Sequence, residues 1–295
     1  MGIEELQSMY RLSKRQHDEI YHDLKSTVLM EGNPLRECNI IIGQKASGKT
    51  TVAKQIGNGG YVLFDKMFID KQHPNYNEVN ELYPGDFPNI IAPDVLNWKN
   101  RLLIDVINKG VNFSYETTGN NIHKLNDLIT ELKDNNYHIN VFIISINYLE
   151  SRLRLYEKYI RCLERNKMEG FFPLGETFRN SFASIPDIAE SLNFDDFDNV
   201  SFLDKQLVLY DNIINKDVFI SELRGLYNDN SSLNLIKREE FIRNFIARYP
   251  ELVKGFDVFS LFDELDLLEM YYQTIVEEDK VMSLKLNSNV KKGIE

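Results

Sequence analysis

The sequence is poor in the residues that build extracellular or membrane-embedded scaffolds. Its 295 residues include two cysteines, Cys38 and Cys162. They fall in an apparent strand and an apparent helix, so we expect buried or incidental thiols rather than a disulfide or a metal site. The five histidines lack metal-ligand spacing. No apolar run approaches the roughly 20 residues of a membrane span, and no charged-then-apolar leader opens the chain. We therefore expect a soluble, cytoplasmic protein without a membrane partner.

Basic residues are fewer than acidic ones. Lysine and arginine total 34 against 45 aspartates and glutamates, which gives a formal net charge of −11. A surface this acidic repels nucleic-acid backbones, so we expect no nucleic-acid partner. One basic concentration has helical spacing and is a candidate phosphate clamp; its members are Arg152, Arg154, Lys158, Arg161, Arg165 and Lys167.

The most specific feature is a glycine-rich loop between a predicted strand and a predicted helix. The apolar run Asn39–Ile42 is typical of a buried strand, and the pattern Gly43-x-x-x-x-Gly48-Lys49-Thr50 follows it. Glycine at the two ends lets the backbone approach phosphate oxygens closely. Main-chain N–H groups and the positive end of the helix that starts near Lys49 then hold the anion. The pattern predicts a phosphate-binding P-loop.

Each side chain at the end of this loop has an expected partner. Lys49 reaches the β- and γ-phosphates, the hydroxyl of Thr50 holds Mg²⁺, and Thr51 contacts the α-phosphate. The sequence alone leaves ATP and GTP open. The predicted Mg·nucleotide site comprises Gly43, Gln44, Lys45, Ala46, Ser47, Gly48, Lys49, Thr50 and Thr51.

Strand-like and helix-like runs alternate along the chain, which predicts an α/β fold: a doubly wound parallel sheet that carries the P-loop. Helical additions flank it at both ends. We predict an N-terminal helical region over residues 1–37, a P-loop domain over 38–226, which the resemblance described below makes kinase-like, and a helical appendage over 227–295. The appendage contains amphipathic runs at 235–249 and 252–276, after a polar linker at 228–232. The strands are predicted at 39–42, 61–64, 112–115, 139–146, 200–203 and 207–210.

Helix ends carry chemical signals. Pro93-Asp94 predicts an N-cap at Asp94 before an apolar-periodic run, and Gly110 predicts the left-handed stop of that helix. Asn121 predicts the N-cap of the next helix. His73 with Pro74 is interpreted as a residue that fixes a turn and packs.

In a parallel sheet, ligands bind beyond the carboxyl ends of the strands. Three segments occupy such places: Asp65–Tyr76, Glu116-Thr-Thr-Gly119 and the arginine helix that begins near Arg152. Together with Gly43-Gln-Lys-Ala-Ser-Gly-Lys-Thr50, they resemble the zeta toxin family of bacterial toxin–antitoxin systems. The similarity spans about residues 39–210, and the run Lys-Gln-His-Pro-Asn-Tyr is its most specific part.

The resemblance implies a kinase that transfers the γ-phosphate of ATP to a hydroxyl of a nucleotide sugar, UDP-N-acetylglucosamine. It also implies an antitoxin partner that blocks the ATP site. By position, Lys49 and Thr50 would serve ATP and Mg²⁺, and Arg154 would stabilise charge on the transferred phosphoryl group. The acceptor side would comprise Asp65, Glu116, Thr118 and Asn120.

The sequence departs from the family pattern mainly on the acceptor side. Met67 stands where the family carries the aspartate that accepts the acceptor's proton, and Asn120 stands where an arginine is usual. Asn100 aligns with a carboxylate, and an arginine expected near residues 170–173 is missing. Two hypotheses follow. Asp65, or Asp70 further along, deprotonates a different acceptor, or the chain is a nucleotide-binding regulatory protein whose phosphotransfer is weakened or lost.

Overall fold

The computed structural model describes residues 2–57, 59–64, 66–83, 86–164, 185–204, 207, 209–210, 215–227, 233–248, 250 and 270. The chain divides into two compact units, Met1–Asp229 and Asn230–Glu295. The predicted linker at 228–232 lies outside the described residues, as does the helix at 252–276 apart from residue 270. The boundaries predicted at 37/38 and 226/227 stay predictions.

The first unit is built on a six-stranded sheet with the order β2-β3-β1-β4-β5-β6. The first five strands are parallel, and β6 runs antiparallel to β5. Because β1 is flanked by β3 and β4, the loop after it lies at the middle of the carboxyl edge. The predicted α/β class and parallel sheet are confirmed. The strands are β1 Glu37–Ile42, β2 Val62–Leu63, β3 Phe113–Thr117, β4 His138–Ile144, β5 Asn199–Leu203 and β6 Leu209–Tyr210.

Helices connect the strands and cover the sheet, as parallel β-α-β crossovers require. The predicted N-terminal helical region forms two helices, because Ser13 caps a second helix with its hydroxyl. In the first unit the described helices are α1 Ile3–Tyr10, α2 Lys14–Glu31, α3 Lys49–Gly57, α4 Lys66–Asp70, α5 Tyr76–Leu82, α6 Phe87–Ile90, α7 Ala92–Lys109, α8 Ile122–Asp134, α9 Tyr148–Glu164, α10 Ile185–Ser191 and α11 Lys216–Tyr227. The second unit contains α12, Leu233–Arg248, where the sequence predicts a helix at 235–249.

Both faces of β1 are buried, which explains why its sequence is a continuous apolar run rather than an alternating one. Ile40 and Ile42 belong to a large core cluster that includes Trp98 of α7. Ile41 points to the opposite face, where it shares a smaller cluster with Val52 of α3. This second cluster fixes α3 against the sheet and therefore fixes the loop that joins β1 to α3.

A ladder of asparagine side chains crosses the three central strands. The amide of Asn140 on β4 donates to Asn39 Oδ1 on β1 at 3.1 Å. The amide of Asn199 on β5 donates in turn to Asn140 Oδ1 at 2.8 Å. Because a slip by one residue would turn these side chains to the other face, the ladder helps to specify the register.

Two of the three predicted helix ends are confirmed. Gly110 ends α7 in the left-handed conformation, with φ of 71°. Asn121 caps α8, since its Oδ1 accepts a hydrogen bond from the Lys124 N–H at 2.9 Å.

The prediction that Asp94 caps α7 is wrong. The helix begins at Ala92, with Pro93 in its first turn, so Asp94 lies inside the helix. Its Oδ2 accepts a hydrogen bond from the Leu12 N–H at 3.2 Å and lies 3.5 Å from His73 Nε2. The carboxylate therefore serves tertiary contacts, which the local sequence does not reveal.

Candidate functional site

The loop after β1 has the backbone conformation that its glycines predict. Ala46 and Gly48 have φ of 58° and 102°, which is the left-handed region. A Cβ at Gly43 would lie 2.6 Å from Ser47 Oγ and 3.2 Å from Ile144 Cβ. Glycine at position 43 therefore permits a close turn, and glycine at 48 permits a strained φ. α3 begins directly afterwards, so the main-chain N–H groups of its first turn lack acceptors within the helix.

Two side-chain hydrogen bonds fix this loop to α9 and to the residues just before that helix. The Gln44 amide donates to the carbonyl oxygen of Ile146 at 2.6 Å. The Ser151 hydroxyl, in the first turn of α9, donates to the carbonyl oxygen of Lys45 at 2.6 Å. The residues between Gly43 and Gly48 are thus held by two hydrogen bonds to residues more than 100 positions away in sequence.

Lys49 lies over the same loop. Its Nζ donates to the carbonyl oxygens of Gly43 and Gln44, both at 2.8 Å. Burial lowers the pKa of Lys49 to about 8; nearby Glu116 opposes the shift, and Lys45 and Lys158 add to it. A lysine with this environment gains from an anion, because a phosphate oxygen would favour its charged form.

Thr50 and Glu116 join the loop to the next strand. The Thr50 hydroxyl donates to Glu116 Oε2 at 3.0 Å. Glu116 belongs to β3, opposite Ile41 in the β1–β3 register, so the sheet itself brings it to the start of α3. A hydroxyl and a carboxylate at this point are oxygen ligands of the kind that Mg²⁺ prefers.

The chain turns sharply after β3. The Gly119 N–H donates to Thr117 Oγ1 at 3.0 Å, and Gly119 has φ of 74°. A Cβ at Gly119 would lie 2.5 Å from Ile188 Cδ1 of α10. Thr118 is half-buried and Asn120 is exposed. The turn therefore places both predicted acceptor-side residues just beyond the strand that carries Glu116.

Arg154 lies on α9, one turn after the contact with the loop. Its Nε donates to Glu150 Oε1 at 2.8 Å. Burial lowers the pKa of Arg154, and nearby Glu157 and Asp204 oppose the shift. Arg161, another member of the candidate phosphate clamp, is exposed and pairs with Glu157 at 2.6 Å.

The segment after β2 holds the predicted acceptor base. Asp65 lies outside the described residues, and Met67 lies in α4, where only its backbone is described. Asp70 is buried at the end of α4, and its carbonyl oxygen accepts the His73 N–H at 3.1 Å. His73 is buried as well, and its Nδ1 accepts the Asn75 N–H at 3.3 Å. The interpretation of His73 as a turn-fixing, packing residue is confirmed.

The residues present fit a bound Mg·nucleotide. Within the described residues, the buried Ser47 Oγ and Gln44 Oε1 of the loop have no hydrogen-bond partner. The same part of the chain holds no cluster of three or more histidine, cysteine or acidic residues. A metal at Thr50 would therefore take ligands from the nucleotide and water, which is how Mg²⁺ is usually held beside phosphates.

Sequence reasoning missed two residues of the site, Asp204 and Ser151. Asp204 follows β5 directly and lies near Arg154; the rule that residues after parallel strands face ligands, applied to β5, would have found it. The contact of Ser151 with the loop had no local signal, because it joins residues far apart in the chain. Lys158, a member of the basic concentration named from the sequence, lies one helical turn after Arg154, and this spacing places both on one face of α9.

Comparison with known proteins agrees with this architecture. The family model for zeta toxin matches residues 13–213, more than half of the chain. The chain belongs to the zeta toxin family. Curated zeta toxins are similar: the Toxin zeta of Streptococcus agalactiae is 27% identical over 120 residues, and that of Enterococcus hirae is 26% identical over 120 residues. Each match covers 40% of this chain and 42% of the relative, so it spans about two fifths of the zeta toxins' length.

A solved structure shows the same fold. It comes from a characterisation of the PezAT chromosomal toxin–antitoxin system of Streptococcus pneumoniae, and the alignment has a TM-score of 0.67 at 16% identity. It covers 85% of this chain and 100% of that chain. This similarity supports a P-loop kinase fold for the present chain.

Among the helices that the structure describes in the present chain, none is long and apolar enough to cross a membrane.

Proposed function

We propose that the chain is an ATP-dependent small-molecule kinase whose acceptor is a hydroxyl of a nucleotide sugar such as UDP-N-acetylglucosamine. The observation that carries the proposal is a convergence at the carboxyl edge of the sheet. The Thr50 hydroxyl donates to Glu116, and the Glu116 carboxylate lies near enough to Lys49 to oppose the lowering of its pKa. Arg154 stands on a helix that Ser151 ties to the same loop. Phosphoryl transfer requires such a set: a cradle, a metal site, a positioned acceptor and a guanidinium.

The P-loop residues Gly43 to Thr51 would hold the nucleotide. Bound Mg·ATP supplies the phosphoryl group and a divalent charge on its oxygens. In this chain, the Nζ of Lys49 would donate to phosphate oxygens instead of the carbonyl oxygens of Gly43 and Gln44. The hydroxyl of Thr50 would ligate the metal, with the Glu116 carboxylate next to Thr50. The main-chain amides around Gly48 would orient the phosphates without side-chain reorganisation, because the left-handed backbone is already formed.

The acceptor would lie on the β3 side of the site. Glu116, Thr118 and Asn120 would bind the nucleotide sugar, with Asp65 as the group that accepts its hydroxyl proton. Support comes from the contact between Thr50 and Glu116, which puts a residue of the acceptor side beside the phosphate side. The choice of ATP and of a nucleotide sugar rests on membership of the zeta toxin family.

A second candidate function is nucleotide-dependent regulation without efficient transfer. Met67 favours it, because a thioether in α4 stands where the family pattern has a carboxylate base and cannot accept a proton. The protein would then bind Mg·ATP and change its interactions, with little or no product. Both candidates require the same P-loop, and they differ only in what happens to the γ-phosphate.

We also propose an antitoxin partner and a cytoplasmic location. The structural neighbour belongs to a toxin–antitoxin system, which supports the partner. Cys38 is a buried free thiol, which is compatible with a reducing compartment.

The decisive experiment combines calorimetry with product analysis. The full chain is titrated with Mg·ATP and then incubated with ATP and a panel of nucleotide sugars. We expect binding and a phosphorylated sugar nucleotide, both abolished in Lys49→Ala. Lys54→Ala, an exposed lysine on the same helix, is the matched control and should leave both unchanged. Binding without product would favour the regulatory function. No binding of Mg·ATP would refute both candidates.

A further inference from the structure

Glu150 lies in the first turn of α9, where acidic residues are favoured, but its side chain is buried to an uncommon extent. Its side chain is 5% exposed, and the Arg154 side chain that it meets is 19% exposed. Carboxylates are almost never buried to this extent unless they are paired. The Arg154 Nε–H donates to Glu150 Oε1 at 2.8 Å, and both residues lie on α9 at i, i+4 spacing.

The backbone that carries Glu150 is fixed to the P-loop on both sides. The adjacent residue, Ser151, donates its hydroxyl to the carbonyl oxygen of Lys45 at 2.6 Å. Just before the helix, the carbonyl oxygen of Ile146 accepts the Gln44 amide, also at 2.6 Å. The position of the Glu150 carboxylate therefore follows the position of the P-loop.

A hydrogen bond at Nε restricts the guanidinium more than an ion pair at its tip would. The guanidinium is planar with five N–H donors in a fixed fork, so a partner at Nε sets the plane and the direction of the four Nη–H donors. A free arginine side chain has many rotamers, and ordering it costs conformational entropy. Arg154 has lost much of that freedom already in the structure described.

We propose that Glu150 is a positioning residue: it holds Arg154 so that the Nη donors face the γ-phosphate of a nucleotide in the P-loop. This inference rests on the proposed function, in which Arg154 stabilises the transferred phosphoryl group. Glu150 itself touches no reacting atom. It acts through the direction of one guanidinium, and it is linked to the P-loop through Ser151 and the backbone of α9.

The chain provides a matched control on another helix. The Arg15 Nε–H donates to Glu19 Oε1 at 2.8 Å on α2, with the same donor atom and the same i, i+4 spacing, but the Arg15 side chain is 88% exposed. Exposed pairs of this kind contribute little to either stability or function. Loss of this contact in Arg15→Ala therefore reports what breaking a helical ion pair does when no phosphate-facing group is involved.

The test measures affinity for Mg·ATP and Mg·ADP by calorimetry, and transfer to the panel of nucleotide sugars, in five variants of the full chain: Glu150→Ala, Glu150→Gln, Arg154→Ala, the Glu150→Ala/Arg154→Ala double variant and Arg15→Ala. We expect Glu150→Ala to weaken Mg·ATP binding about tenfold and to leave Mg·ADP binding unchanged, since only ATP carries the group that Arg154 faces. Where transfer is measurable, kcat should fall more than KM rises. Glu150→Gln, whose amide oxygen still accepts from Nε, should stay within about threefold of the parent.

The double variant makes the test decisive. If Glu150 acts through Arg154, then Glu150→Ala adds no further loss in the Arg154→Ala background. If instead the two losses multiply, or if Glu150→Ala behaves like Arg15→Ala, the positioning role is refuted and the proposed function stands. If the parent chain does not bind Mg·ATP, the proposed function and this inference both fail. Should Glu150→Ala not fold, Glu150→Leu carries the same expectation, because leucine favours the helix and fills the buried space but cannot accept a hydrogen bond from Nε.

Discussion

The hydroxyl of Thr50 donates to the carboxylate of Glu116 at 3.0 Å, across 66 residues of sequence. Thr50 lies in the first turn of α3, and Glu116 lies near the end of β3. A single contact therefore joins the nucleotide half and the acceptor half of the candidate site. Thr50→Val keeps the shape and removes the donor and the metal ligand. We expect it to weaken Mg·ATP binding by tenfold or more, roughly the loss of one ligand and one hydrogen bond.

Calorimetry with and without Mg²⁺ checks this prediction. The loss should appear with Mg²⁺ and shrink in excess chelator, because the hydroxyl acts through the metal. Thr130→Val is the control, since the Thr130 hydroxyl bonds only within α8, to the carbonyl oxygen of Asn126. An equal loss with and without Mg²⁺ would contradict a metal role for Thr50.

The pH dependence of nucleotide binding should report Lys49. Its pKa is lowered to about 8 by burial, and the charged form is the one that binds phosphate. Affinity for Mg·ATP should therefore be constant below pH 8 and fall as the pH rises above it, by at most about tenfold per unit. A Lys49→Arg variant, whose guanidinium stays charged, should lose this dependence. A flat profile in the parent chain would show that Lys49 does not titrate in this range.

The same shift acts on stability with the opposite sign. The folded state holds the Lys49 proton less tightly than the unfolded state, so unfolding takes up a proton between pH 8 and about 10.5. The contribution of Lys49 to the free energy of unfolding should therefore rise with pH across this window. Chemical denaturation of the parent chain and of Lys49→Met at pH 8 and pH 10 measures this change. The difference between the two proteins separates the contribution of Lys49 from those of the other groups that titrate at alkaline pH.

Glycine at position 43 should be indispensable for the loop. A Cβ there would lie 2.6 Å from Ser47 Oγ, which is closer than real Cβ contacts, and 3.2 Å from Ile144 Cβ, which is a tight contact. Gly43→Ala must rotate the Ser47 side chain or displace the loop against β4, so we expect Mg·ATP binding to be lost and the free energy of unfolding to fall by about 1–3 kcal/mol. Gly225→Ala is the contrast: nothing lies within 4 Å of its Cβ, and alanine in a helix should stabilise by about 0.5–1 kcal/mol.

The cap of α8 offers a test of local sequence reasoning. Asn121 Oδ1 accepts the Lys124 N–H at 2.9 Å. Asn121→Ala should lower the free energy of unfolding by about 1 kcal/mol, because one main-chain donor at the helix start loses its side-chain partner. Asn126→Ala, at an exposed position inside the same helix, should be neutral or slightly stabilising. Similar losses in the two variants would argue against a capping role.

Features encoded in a few adjacent residues were predictable, and features made by distant contacts were not. The P-loop, the parallel sheet, the Asn121 cap and the Gly110 stop depend on local patterns, and all four appear in the structure. Asp94 misled the prediction because its carboxylate bonds Leu12, 82 residues away, instead of its own helix. The partners of the P-loop carbonyls, such as Ser151, were equally invisible, since nothing near Lys45 in the sequence indicates that α9 will pack there.

Position 67 decides between the two candidate functions. Met67 lies in α4, the first helix after β2, where the family pattern has an aspartate base. Met67→Asp returns a proton acceptor to that position, and general-base catalysis typically contributes about 10²–10⁴ in rate. If the chain lost transfer through this residue, the variant should phosphorylate a nucleotide sugar at least a hundredfold faster than the parent, with unchanged affinity for Mg·ATP. Met30→Asp, at an 82% exposed methionine, controls for added charge.

A second variant separates the remaining possibilities. If Asp65 is the working base, Asp65→Asn abolishes transfer in the parent, and Met67→Asp rescues it, because either carboxylate then suffices. If neither variant changes product formation while Mg·ATP still binds, loss of a base does not explain the behaviour of the chain. The limiting step would then lie with the acceptor-side residues, where Asn120 replaces an arginine that a phosphorylated substrate would need for charge neutralisation.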